Sequence, residues 1–82
     1  MSSGGVAATF NAMALDSLGI MYAEGQGVPQ DYVSAHLWFD LAATSGDEDA
    51  QKSRAAVAKR MTSDQIAEAQ RMAREWMAKH KQ

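Results

Sequence analysis

One glycine-rich loop separates two apolar segments between Ala14 and Ala50, and this arrangement constrains the fold more than any other feature. On both sides of the loop, apolar residues recur every three or four positions, which is the spacing of one helix face. Because many of them are Ala or Gly, the pattern predicts two antiparallel helices that pack at close range. The pattern comprises Ala14, Leu18, Gly19, Tyr22, Gly25, Gln26, Gly27, Val28, Asp31, Tyr32, Ala35, Trp38, Ala42, Ala43, Gly46 and Ala50.

Start and stop signals bound the first two predicted helices. The first runs from about Ala7 to Ala23 and ends at Gly25, since glycine readily adopts the left-handed conformation of a helix C-terminus. The second starts near Asp31, a good N-cap residue type, and stops at Ser45-Gly46. The predicted buried stripe of the first helix consists of Phe10, Ala14, Leu18 and Tyr22.

Two more helices are predicted in the second half of the chain. The third opens with the acidic run 47–49, because carboxylates favour the positive end of a helix dipole, and closes at Lys59-Arg60. The fourth starts at Thr62, where Gln65 completes a capping box. The sequence therefore predicts an all-α fold of about four helices, arranged as antiparallel helix-turn-helix repeats in a fragment of an α/α solenoid.

The loop pattern G-x-G-V-x-x-D from Gly25 to Asp31, together with the flanking small residues, resembles the Sel-one-like repeat (SLR) family, a relative of the tetratricopeptide repeat. The resemblance covers about half of the chain. Such proteins commonly serve as adaptors in signalling, secretion and envelope processes, often in bacteria. The resemblance therefore implies a non-catalytic protein–protein interaction or scaffolding module, and it names no partner.

Internal comparison divides the chain into three predicted parts. Residues 1–6 are expected to be a flexible leader or a cloning remnant, and residues 7–46 an intact repeat. Residues 47–82 are expected to be a degenerate repeat that forms a C-terminal capping hairpin. The motif Ala35-His-Leu-Trp38 recurs as Ala73-Arg-Glu-Trp76, but the second unit lacks the glycine loop.

By the same resemblance, one face of the first helix lines a concave groove that binds another protein or a peptide. This face is apolar with two carboxylates, which suits a peptide bearing Lys or Arg. An alternative is that Met13 and Ile20 contact a missing neighbouring repeat or a second subunit. The chain could then be the C-terminal piece of a multi-repeat regulator. The predicted partner-binding residues are Met13, Asp16, Ile20, Ala23 and Glu24.

Charge favours a second alternative, a homo-oligomer. Residues 1–51 contain seven acids and no Lys or Arg, whereas residues 52–82 contain eight basic residues and three acids. Opposite signs in the two halves would let two copies pack acid against base. Nucleic-acid binding is not expected, because Glu68 and Glu75 interrupt the basic stretch and the first half would repel phosphate.

The sequence contains few patterns typical of a catalytic, cofactor or metal site. His36 and Asp40 lie four residues apart and could face each other on one helix, so an enzyme or metal site there is the third alternative. The Gly25–Gln30 segment lacks the third glycine of a dinucleotide loop and follows a predicted helix rather than a strand. The acids at 47–49 lack the spaced oxygens of a calcium loop. No catalytic, cofactor-binding or metal-binding residue is predicted.

Composition bounds the compartment only loosely. The chain has no cysteine, which excludes a disulfide framework and fits a reducing compartment such as the cytoplasm. A periplasmic location stays open if an upstream signal was removed. The segment 1–5 has no basic head or apolar core, so it is not expected to be a secretory signal. No apolar run approaches the roughly 18 residues of a membrane helix.

Overall fold

A computed structural model describes residues 11–80 of the chain. Within this range four α-helices and no strand are found, which confirms the prediction of an all-α fold. The predicted leader 1–6 and the segment 7–10 lie outside the described residues. The helices are α1 (Ala12–Glu24), α2 (Tyr32–Thr44), α3 (Glu48–Ala58) and α4 (Ser63–Lys79).

Side-chain caps set the start of every helix. Asp31 accepts hydrogen bonds from the backbone N–H groups of Val33 and Ser34, and Asp47 caps α3 in the same way. The capping box predicted at Thr62 and Gln65 is present, with each side chain bonded to the other residue's backbone N–H. The local signals in the sequence therefore locate three of the four starts.

The start of α1 differs from the prediction. Asn11 has an extended backbone, and its side chain accepts a hydrogen bond of 2.7 Å from the N–H of Met13. An N-cap residue cannot itself be part of the helix, so α1 begins at Ala12, and the predicted segment 7–10 lies outside the described residues. Asn is among the strongest N-cap residues, and the sequence prediction did not use it.

The glycine loop binds the end of α1 to the start of α2. Gly25 has a left-handed φ of 72°, and its N–H donates to the carbonyl of Met21 over 2.7 Å. The N–H of Asp31 then donates to the carbonyl of Tyr22 over 2.9 Å. These bonds satisfy carbonyls that the end of a helix would leave unpaired, and they turn the chain back on itself.

The core lies around α2, which packs against each of the other three helices. Its buried residues point in several directions, as expected for a helix apolar over most of its girth. One cluster joins α2 to all three neighbours, and a second joins α2 mainly to α3 and α1. The buried residues of the first cluster are Leu15, Leu37, Leu41, Ala42, Ala50 and Ala73. Those of the second are Ala35, Phe39 and Val57.

Helices α1 and α2 come close together at Gly19. A Cβ atom at this position would lie 2.5 Å from the Phe39 ring, a distance that real Cβ atoms do not tolerate. The expectation that small residues allow close helix packing is therefore confirmed at Gly19, and also at Ala35 and Ala42, which are fully buried. It is wrong at Ala14, which is exposed. The buried stripe of α1 runs through Leu15 and Gly19 instead.

Candidate interaction surface

Two large apolar side chains stand out on α1 because solvent reaches them. Met13 is 74% exposed and Ile20 is 39% exposed, and among the described residues they are the large hydrophobic side chains classed as exposed. Ser17 and Glu24 lie on the same side of α1 as these two residues, because positions 13, 17, 20 and 24 are separated by four, three and four residues. We call Met13, Ser17, Ile20 and Glu24 the α1 face. The α1 face lies opposite the buried stripe of Leu15 and Gly19.

Two shallow cavities lie beside this face, between α1 and α3, and we call the surface that contains both of them the groove. Its first cavity, of about 470 Å³, is lined by the starts of both helices, including Met13, Asp16 and Asp49. Its second cavity, of about 370 Å³, is lined by their ends, including Glu24 and Arg60. The two helices therefore run in the same direction along the groove.

The first cavity is acidic. Burial raises the pKa of Asp16 above its ordinary value of 3.8, and the negative charges of Asp47 and Asp49 raise it further. The Oδ1 atom of Asp16 is inaccessible to solvent and has no hydrogen-bond partner. Asp47 is already engaged as the cap of α3. The ionised form of the Asp16 carboxyl is therefore disfavoured in this cavity, and a cation bound nearby would stabilise it.

The structure distributes the predicted partner-binding residues over two sides of α1. Met13, Ile20 and Glu24 lie on the exposed α1 face, and Asp16 lies on the flank toward the start of α3. Ala23 is half-buried and packs against the cluster of Ala35, Phe39 and Val57, although it also lines the second cavity. Their role in binding stays a prediction. The proximity of Asp47 and Asp49 to Asp16 was not anticipated from the sequence.

A comparison with family models identifies the helix pair that carries this surface. Residues 12–47, a little under half of the chain, match the model of the Sel1 repeat. The matched segment begins with α1 and ends just before α3, so it contains the glycine loop and both helices around it. These residues form a Sel1 repeat. No curated protein matches the chain.

The Sel1 repeat match confirms the resemblance predicted from the loop pattern and the small residues. The match does not extend to α3 and α4. Their assignment as a degenerate capping hairpin over residues 47–82 stays a prediction, as does the boundary at residue 46.

The second helix of the Sel1 repeat brings His36 and Asp40 together. The Nδ1 atom of His36 lies 3.1 Å from Oδ2 of Asp40, although the angle falls outside hydrogen-bond geometry. Arg54 of α3 donates a 2.6 Å hydrogen bond to the other carboxylate oxygen. Burial alone would raise the pKa of Asp40, but His36 and Arg54 outweigh it and hold the pKa below 3.8. The cluster therefore links α2 to α3.

This placement favours a structural role for His36, because the residue is only 2% exposed and its ring is out of reach of a substrate in solution. Arg54 was missed because it lies 14 residues from Asp40 in sequence, beyond any helical spacing. Among residues 11–80, no group of three or more His, Cys, Asp or Glu side chains is arranged to hold a metal ion.

We expect Asp40→Asn to lower the free energy of unfolding by about 1–3 kcal/mol at neutral pH, because it deprives His36 and Arg54 of a charged partner. The lowered pKa of Asp40 means that its stabilisation is present above the unfolded value and lost as the pH falls through the folded value. Urea unfolding at neutral and acidic pH checks both points. Equal stability of the variant and the wild type at neutral pH would show that the cluster contributes nothing.

The two tryptophans are packed as predicted. Trp38 and Trp76 meet edge to face with centroids 6.0 Å apart, against the first core cluster. On the surface of α4, Arg71 forms an ion pair of 2.9 Å with Glu75. None of the helices described is long and apolar enough to cross a membrane.

Proposed function

We propose that this protein is a non-catalytic interaction module that binds a partner protein or peptide on the α1 face. Sel1 repeats generally mediate protein–protein interaction, and the matched helix pair contains this face. The single observation that carries the proposal is the exposure of Met13 and Ile20. Within residues 11–80 no other residue buries them, whereas the remaining large apolar side chains of this range are at least partly covered.

The energetics of such a contact are modest. Full burial of one Met or Ile side chain contributes roughly 1.5–3 kcal/mol. The two side chains lie seven residues apart, or about 10 Å along the helix at 1.5 Å per residue. A partner that covers both would contact two turns of α1 and part of the groove. This area is below that of a standard protein–protein interface, so we expect weak, reversible binding.

Replacing both side chains tests the proposal. Peptides would be selected from a random-peptide phage library on the immobilised wild-type protein, and their dissociation constants measured by isothermal titration calorimetry. The double variant Met13→Ser/Ile20→Ser should weaken binding by about tenfold or more, because the peptide loses its apolar contacts.

The matched control is Ala67→Ser/Ala78→Ser, which places the same residue type at two exposed positions of α4. It should bind the peptides as the wild type does. Circular dichroism would check that both variants keep their helix content. Failure to select any binding peptide, or equal affinity of the Met13→Ser/Ile20→Ser variant, would refute the proposal.

Self-association is the second candidate, and the division of charge favours it. The acidic side of α1 in one copy could meet Arg71, Arg74 and Lys79 on α4 of another in a two-fold dimer. Light scattering over a range of protein and salt concentrations tests it. A dimer whose dissociation constant rises with salt supports this candidate, and a monomer at every concentration contradicts it.

A further inference from the structure

We infer that the segment bound on the α1 face carries a Lys or Arg side chain that sits in the first cavity, beside Asp16 and Asp49, and apolar side chains that cover Met13 and Ile20. This inference rests on the proposed function and adds the chemistry of the partner. It follows from the different charges that line the two cavities of the groove.

The charged residues that line the first cavity are all acidic. They are Asp16, Asp47 and Asp49, and Met13 lines the same cavity. The first 51 residues contain no Lys or Arg, and the nearest basic residue in sequence, Lys52, follows Asp49 by three positions. The ion pairs found among residues 11–80 involve Asp40 and Glu75 and none of these three acids. A cation seated beside Met13 would therefore find carboxylates without a charged partner.

The other end of the groove lacks this excess of negative charge. Arg60 lines the second cavity together with Glu24, so one positive and one negative side chain face it. A cationic side chain of the partner gains more at the Asp16 end than near Arg60. We therefore expect the cation in the first cavity and not in the second.

The state of Asp16 supports this position of the cation. Burial raises the pKa of Asp16, and the negative charges of Asp47 and Asp49 raise it further. A bound ammonium or guanidinium group in the first cavity would stabilise the ionised carboxylate and oppose both effects. Binding should therefore weaken as the pH falls through the raised pKa and Asp16 takes up a proton.

A foreign segment fits the surface better than α4 of a second copy. The exposed cations of α4 are Arg71, Arg74 and Lys79, but its large apolar side chains Met72 and Trp76 pack against the core. A second copy would bring the charge without apolar groups for Met13 and Ile20. The occupant is therefore a separate polypeptide segment that carries both.

The test uses the peptides selected on the wild-type protein. We expect them to carry a Lys or Arg at a constant position beside an apolar residue. The variant Asp16→Asn/Asp49→Asn, which removes charge with little change of shape, should weaken their binding about fivefold to tenfold. Changing the peptide's Lys to Gln, or Arg to Gln, should cost a similar factor, and the two changes together should cost less than the product of the separate losses.

The matched control is Arg60→Gln in the second cavity, which should weaken binding less than twofold. Two results would refute the inference and leave the proposed function standing, provided that binding is weakened by Met13→Ser/Ile20→Ser. One is that the selected peptides carry no basic residue. The other is that they bind the Asp16→Asn/Asp49→Asn variant as tightly as the wild type. If binding ignores Met13 and Ile20, or no peptide is selected, the proposed function fails as well. Selected peptides that compete with a wild-type dimer, and a dimer broken by Met13→Ser/Ile20→Ser, would assign the surface to a second copy and overturn the inference.

Discussion

Replacing Phe39 by Ala is expected to remove most of the stability of this protein. Phe39 is 2% exposed, and its ring lies against Gly19, where α1 and α2 come close together. Truncating a buried Phe to Ala typically costs 3–5 kcal/mol, because the apolar contacts are lost and a cavity remains. Small domains have total stabilities near the lower end of about 5–15 kcal/mol. The variant should therefore be largely unfolded or melt far below the wild type.

Urea unfolding followed by circular dichroism measures this effect. Phe39→Leu is the conservative comparison, since it keeps most of the apolar volume and should cost much less. Ala67→Ser on the exposed side of α4 serves as a surface control and should change stability by less than about 0.5 kcal/mol. A loss below about 1 kcal/mol for Phe39→Ala would show that the contact between the ring and α1 is not central to the fold.

Substituting Gly19 is expected to destabilise the protein even though Gly lies inside a helix. From helix propensity alone, Gly19→Ala would gain about 1 kcal/mol. The new Cβ atom would lie 2.5, 2.6 and 2.9 Å from three atoms of the Phe39 ring, which is itself buried. Overpacking of this kind typically costs about 1–3 kcal/mol, so the clash outweighs the propensity gain. Gly19→Val should cost more than Gly19→Ala.

Whether Gly19→Ala raises or lowers the free energy of unfolding distinguishes the packing effect from the helix-propensity effect. Ser17→Ala, at an exposed position of the same helix, should be neutral or slightly stabilising. Combining Gly19→Ala with Phe39→Leu should cost less than the sum of the two single changes, since the smaller side chain makes room for the new methyl group. A Gly19→Ala variant more stable than the wild type would contradict the close approach of α1 and α2.

Much of the fold could be predicted from local signals. The helix caps depend on hydrogen bonds between groups only two or three residues apart, so they can be predicted from the adjacent sequence. This holds for Asp31, Thr62 and Gln65. Gly25 likewise acts through its own backbone conformation. The all-α fold and the Sel1 repeat were therefore accessible before any coordinates.

The buried side of α1 could not be chosen in the same way. This helix is apolar around much of its circumference, so helical spacing alone allows both the Ala14–Leu18 stripe and the Leu15–Gly19 stripe. The ring of Phe39, which is distant in sequence, selects the second stripe because only Gly fits beneath it. The packing of α2 against α1 therefore determines which stripe is buried, a choice that helical periodicity alone does not make.

The candidate surface was predictable in part for the same reason. Met13 and Ile20 were identified from helix geometry together with the family resemblance, and the structure places both in solvent. Two features depend on contacts between helices and were missed. They are the acidic cavity that Asp16 shares with the start of α3, and the Arg54 contact of Asp40.

The most direct test of the account is a nuclear magnetic resonance titration of the ¹⁵N-labelled protein with a selected peptide. The central claim is that the glycine-dependent packing of α1 on α2 leaves the α1 face open for a partner. It predicts amide shift changes that cluster in Ala12–Glu24 and along the side of α3 that lines the groove, with α4 unchanged. Shift changes confined to α4, or to the far side of α2, would contradict it.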